Sequence, residues 1–133
     1  MSCSRTLCLC LCTAAVVALM AGCGGSSGAP VIFPAEVNAA QLQGMMNDGK
    51  PLILADVRSA GEFAINHIPG AVSYPLDRLP FWSPTISQAA RIACIGADTG
   101  DGITARSELK TRGFRQVCAL IGGMSSWPGP VER

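Results

Sequence analysis

Histidine and aromatic side chains are scarce in this sequence, and charge of either sign is thin. There is one histidine, aromatics make up 5% and charged residues 14% of the chain. With no His/Cys group at ligand spacing, a structural or catalytic metal is not expected, and nothing calls for an organic cofactor. Ten basic and nine acidic residues give a net charge of +1. No basic stripe marks a nucleic-acid surface, and no acidic run marks a solvating tail. A core short of aromatics must be built from aliphatic side chains. No apolar run reaches the roughly 20 residues a spanning helix needs. Seven cysteines are present, but Cys3, Cys8, Cys10, Cys12 and Cys23 crowd the first stretch. Only Cys94 and Cys118 remain for the folded part, which excludes a disulfide scaffold. The 133 residues leave room for one domain.

The N-terminus reads as an export signal. Arg5 precedes a mostly apolar run from Leu7 to Met20, the n-region and h-region of a secretory leader. Met20-Ala21-Gly22-Cys23 then resembles the bacterial lipoprotein signal, whose cysteine is acylated after cleavage, with Met20 where leucine is usual. Gly24 to Gly28 carries only glycine and serine, the composition of a flexible tether. The expected organisation is a signal over 1–22, a lipidated tether over 23–32 and a folded domain over 33–133. Each buried CH₂ of an acyl chain contributes about 0.8 kcal/mol, and more than one chain makes anchoring stable. The expected location is the cell envelope, lipid-anchored through Cys23. Glycine rather than aspartate after that cysteine favours the periplasmic side of the outer membrane in a Gram-negative host.

The remaining sequence alternates apolar runs with helical patterns. Asn38 can cap a helix through Leu42 and Met46 that stops at Gly49, and Ser59-Ala60-Gly61-Glu62 fits a capping box. Leu52 to Ala55, Ile92 to Ile95 and Val117 to Leu120 suit strands buried on both faces. Val72 lies in a shorter apolar stretch after the turn His67 to Ala71. The glycine-rich stretch Gly96 to Gly102 reads as a loop feeding a helix from about Ile103 to Arg112, stopped by Gly113. This alternation predicts an α/β domain with a parallel or mixed sheet covered on both faces.

Several of these segments together resemble the rhodanese-like family. Leu54-Ala55-Asp56-Val57-Arg58, Glu62-Phe63, His67-Ile68-Pro69-Gly70-Ala71 and Pro75-Leu76-Asp77 match one signature. Gly113-Phe114, Val117, Leu120, Gly122-Gly123-Met124 and Trp127 match a second. The resemblance implies a single domain with a central, mostly parallel five-stranded sheet and helices on both faces. It also implies a cysteine at the end of the second central strand, wrapped by a loop whose N–H groups stabilise thiolate and persulfide. Stepping back from Gly113-Phe114 by the family's spacing places that position on Gly96. No sulfur stands there. Cys94, two residues earlier, keeps the same face of the strand and lies about 6–7 Å deeper, where a buried thiol has a raised pKa.

The residues expected around the site are Gly96, Ala97, Asp98, Thr99, Gly100, Asp101 and Gly102, with Asp56 and Arg58 at the neighbouring strand end. Asp98 and Asp101 oppose an anionic donor. Asp56 and Arg58 fit a substrate contact or a structural ion pair, and in the resemblance His67 is a hydrogen-bonding turn residue. Phe81-Trp82 could line a binding surface or cover a sheet edge. Two buried free thiols are favoured over a Cys94–Cys118 bond. Together these features predict a non-catalytic, envelope-anchored module that binds a protein or small molecule. The alternatives are a thiosulfate or persulfide sulfurtransferase using Cys94, and a purely structural envelope component.

Overall fold

Buried strand runs and capped helices assemble into one layered sheet in the computed structural model, which describes residues 32–133. The expected signal, Cys23 and most of the tether lie outside the described residues. Five strands, β1 (Glu36–Val37), β2 (Ile53–Asp56), β3 (Val72–Ser73), β4 (Arg91–Ile95) and β5 (Gln116–Leu120), line up in the order β1-β5-β4-β2-β3. All four strand pairs are parallel. Four α-helices join them: α1 (Ala39–Asn47), α2 (Ala60–Ile65), α3 (Leu79–Trp82) and α4 (Thr99–Thr111).

Local chemistry starts the first two helices. Asn38 and Gln41 form a reciprocal capping box at α1, and Ser59 and Glu62 form another at α2. Helix α1 ends at Asn47 with Asp48 as its C-cap, and Gly49 beyond it has a φ of 73°, the left-handed conformation that favours glycine. Strand pleating divides the core into two layers. On one face Ala55, Ile92, Cys94 and Val117 pack with Leu79, Trp82, Ala105 and Leu109 of α3 and α4. On the other, Leu54, Ala93, Ile95, Cys118 and Leu120 pack with Leu42 of α1 and with Ile68. The largest fully buried side chains are mainly aliphatic, as the shortage of aromatics demands, and each full burial contributes about 1.5–3 kcal/mol.

Every strand pair is parallel, in keeping with the expected five-stranded, mostly parallel sheet. One detail differs from the reading of the sequence. Helix α4 begins at Thr99, four residues before Ile103, because Asp98 caps it and its glycines serve close packing. A Cβ on Gly102 would lie 3.2 Å from the Cys94 carbonyl oxygen and 3.4 Å from the Ala119 Cβ. The glycine lets the first turn of α4 sit against the sheet, and it belongs to the helix rather than to a loop.

The strand order locates the candidate site. After β2 the chain proceeds to β3 on one side, while after β4 it crosses through α4 to β5 on the other. Strands β2 and β4 are neighbours, so their carboxyl ends flank a topological switch point, the crevice where open α/β sheets bind ligands.

Candidate functional site

Both strand ends at this crevice carry residues singled out in the sequence. At the end of β2, Asp56 is fully buried and Arg58 nearly so. The Arg58 guanidinium donates to Asp56 through Nη2 at 2.7 Å and Nε at 3.0 Å, and to the Asn66 carbonyl through Nη2 at 2.6 Å. Asp56 also accepts the backbone N–H of Arg58 at 3.1 Å. These bonds join the strand end to the C-terminal cap of α2. The guanidinium is committed to holding the loop, the structural one of the two roles left open for it.

At the end of β4 the geometry is set by backbone contact. A Cβ built on Gly96 would stand 2.7 Å from the Asp101 Cβ, 2.8 Å from the Asp98 carbonyl oxygen and 2.9 Å from the Gly102 nitrogen. Real Cβ atoms do not approach so closely, so no side chain fits at residue 96 unless the loop moves. Asp101, in the first turn of α4, is rooted where that side chain would emerge. Asp98 caps α4, its carboxylate accepting the Gly100 N–H at 2.7 Å. One N–H of the helix terminus, an ordinary anion-binding feature, is thereby satisfied from within the chain.

From the opposite side the loop is held by the 3-10 turn Gly123–Ser126. Met124 donates its N–H to the Gly96 carbonyl at 2.8 Å, and the Ser125 hydroxyl donates to the Ala97 carbonyl at 2.8 Å. Gly122 donates its N–H to the Thr99 hydroxyl at 2.7 Å. Gly123 has a φ of 53°, and a Cβ there would collide with the Gly96 carbonyl oxygen. Gly96, Gly102 and Gly123 thus let three backbone segments close on one another. The sequence placed the missing cysteine at Gly96. It gave no sign that the space for a side chain is also gone.

The two remaining thiols lie inside the sheet and are free. Cys94 has 0% exposure, and burial, with Cys118 nearby adding to it, pushes its thiol far above the ordinary value. Burial likewise pushes Cys118 up to about 11. Ala93 pairs with Cys118 and Cys94 with Ala119. Neighbours along a strand point to opposite faces, so the two sulfurs lie in different core layers and a disulfide would have to pass through the sheet.

The other singled-out residues have local roles. His67 stacks on Phe63 at 3.8 Å, its Nδ1 lies 2.9 Å from the Phe63 carbonyl, and its backbone forms an antiparallel bridge with Glu132. Trp82 is buried and donates its indole N–H to the Pro75 carbonyl at 3.0 Å, whereas Phe81 is 75% exposed. Of the two adjacent aromatics, one is packed into the core and the other faces outward. Among the described residues there is no cluster of three or more metal-type side chains, and no helix is long and apolar enough to cross a membrane.

Comparison with known proteins follows this geometry closely. Residues 38–129 match the model of the rhodanese-like domain. The chain belongs to the rhodanese-like domain family. A solution structure of the rhodanese-like domain of the Alr3790 protein from Anabaena sp. superimposes with a TM-score of 0.69 at 28% identity, covering 74% of this chain and 79% of that one. The rhodanese-like domain protein of Staphylococcus aureus gives a TM-score of 0.69 at 22% identity over 74% and 97% of the two chains, a likeness of fold. YrkF of Bacillus subtilis (strain 168), whose name proposes a sulfur-carrier role, is 26% identical over 97 residues, covering 73% of this chain and 52% of that protein. The chain therefore spans about half the length of that relative.

Proposed function

We propose that this rhodanese-like domain is a binding module without sulfur-transfer chemistry, held at a membrane of the cell envelope by acylation of Cys23. The observation that carries the reading is the closed loop after β4, where Gly96 has no room for a side chain. A sulfurtransferase needs an accessible thiolate beside unoccupied N–H donors. Here the nucleophile's position holds glycine, Asp101 is rooted in its space, and the carboxylate of Asp98 accepts the Gly100 N–H. The Gly96 to Gly102 segment would then serve as part of a recognition surface, framed by Asp56 and Arg58.

The sulfur-carrier name of the B. subtilis relative favours a second reading, persulfide chemistry on Cys94. The burial of that thiol and its raised pKa oppose it.

One preparation of the full chain from a bacterial host tests both parts. Sulfur transfer from thiosulfate to cyanide should stay at the uncatalysed rate, and Cys94→Ala should change nothing. Activity abolished by Cys94→Ala would overturn the binding-module reading in favour of the second. Mass spectrometry should find a diacylglyceryl-modified Cys23 at the new N-terminus, and an unmodified cleaved chain would remove the anchor from the proposal.

A further inference from the structure

A surface concavity of about 720 Å³ lies beside the crevice rather than in it. Its floor is aromatic, with Tyr74 and Trp82 stacked at a 4.6 Å centroid distance and Phe81 standing at its margin. The volume falls within the range of about 300–1,000 Å³ typical of ligand clefts. Asp77 and Arg78 also line it, and neither has an ion-pair partner among the described residues.

The groove continues toward the closed loop. A second hollow of about 260 Å³ shares Ser59, Pro75 and Asp77 with it and is lined in addition by Arg58, Glu62 and Asp101. Arg58 is already hydrogen-bonded to Asp56 and Asn66. Hydrogen bonds from Ser59 hold the Glu62 carboxyl below the usual range, so it stays ionised. The loop end of the groove therefore carries Glu62, Asp77 and Asp101 around one committed arginine, Arg58, while Arg78 lines the aromatic hollow on the other side of Asp77.

One wall of the groove is the sheet edge. Strand β3 is outermost, and the Tyr74 N–H donates inward to the Asp56 carbonyl at 2.8 Å. In a parallel ladder alternate residues bond to alternate sides, so the main-chain groups of Ser73 face outward, toward any chain laid alongside.

We propose that this groove binds an extended segment of a partner protein that carries a basic side chain next to an apolar one. The apolar side chain packs on Phe81 and the Tyr74–Trp82 stack, and the basic one reaches the carboxylates at the loop end. This assignment rests on the reading of the domain as a binding module and names the partner's chemistry. Exposed aromatic area supplies contact, and the acidic end supplies the choice of partner.

The test uses the full chain in detergent at about 0.15 M salt, where long-range attraction between exposed charges is screened. Two bead-bound pools of capped hexapeptides, random except for a fixed central Arg-Phe or Glu-Phe, are compared for retention of the protein. The Arg-Phe pool should retain about fivefold more, the size expected of one partly desolvated ion pair. Asp77→Asn should largely abolish that preference, and Phe81→Ala should lower retention on both pools. Glu108→Gln, a distant exposed carboxylate on α4, should leave the preference intact. Equal retention on the two pools, or a preference insensitive to Asp77→Asn and Phe81→Ala, would overturn the proposal. So would a dimer in sedimentation that Phe81→Ala dissolves, since the groove would then belong to a second copy. Sulfur-transfer activity would sink the binding-module reading by a separate readout, whatever the peptide pools show.

Discussion

The ends of β2 and β4 are neighbours in the sheet, yet they are built by opposite means. The β2 end is cross-linked by side chains, with the Arg58 guanidinium bonded to buried Asp56 and to the α2 cap. The β4 end is closed by main chain on main chain, the Gly96 and Ala97 carbonyls meeting the turn at Gly123–Ser126 over two glycines, Gly96 and Gly123, that admit no Cβ. The first arrangement keeps a frame around the crevice. The second fills the place the frame would serve. On the binding-module proposal, the fold retains the polar frame of a site while packed backbone fills the place of its reacting centre.

The largest effect should come from breaking the charged end. Arg58→Ala leaves the Asp56 carboxylate buried without its partner, and removing one member of such a pair costs about 3–5 kcal/mol. Urea unfolding should report that loss. The double change Asp56→Ala with Arg58→Ala should recover part of it, because no orphaned charge remains. A loss below about 1 kcal/mol, as at an exposed pair, would mean that the ion pair does not hold this strand end.

The closed end sharpens the contrast through two glycines. Gly96→Ala pushes a Cβ into Asp101 and two backbone groups, and overpacking of this kind costs about 1–3 kcal/mol. Gly44→Ala lies within α1 with nothing inside 4 Å of its Cβ, and should stabilise by roughly 0.5–1 kcal/mol through helix propensity. The opposite signs, read in one set of urea midpoints, would separate a glycine required by contact from one that is merely tolerated. A neutral Gly96→Ala would mean that the loop yields easily, and a thiol placed at residue 96 could then fit.

How much of this was legible in the sequence depends on whether a feature is local. The capping residues Asn38 and Ser59 announce α1 and α2 because the side chain and the N–H it satisfies are three residues apart. The apolar runs of β2, β4 and β5 could be read because both faces of those strands are buried. Strand β1 could not, since its two residues are defined only by pairing with Ala119 and Leu120. The start of α4 was misread because Gly100 and Gly102 look like a loop until the sheet beneath them is known. The glycine at the position where the resemblance expects a nucleophile, Gly96, was legible. The closing of its space was not, because the clashing atoms come partly from Asp101 and the carbonyl that would exclude a Cβ at Gly123 comes from Gly96 itself. Phe81 and Trp82, adjacent in sequence, could not be told apart until α3 turned one inward and left the other exposed.

The smallest effect separates a cap from a site. Asp98→Ala removes the acceptor of the Gly100 N–H and should cost about 1 kcal/mol, the usual value of a lost N-cap. It also exposes an uncapped helix terminus, whose N–H groups and dipole favour an anion. If Asp98 is what keeps anions from this terminus, sulfate should stabilise the variant more than the parent, as a weak, saturable rise in urea midpoint beyond its general salting effect. An equal response would place the block at the backbone seal between Gly96 and Met124 instead. That outcome would leave main-chain closure, rather than the acidic side chain, as the feature that takes this loop out of anion chemistry.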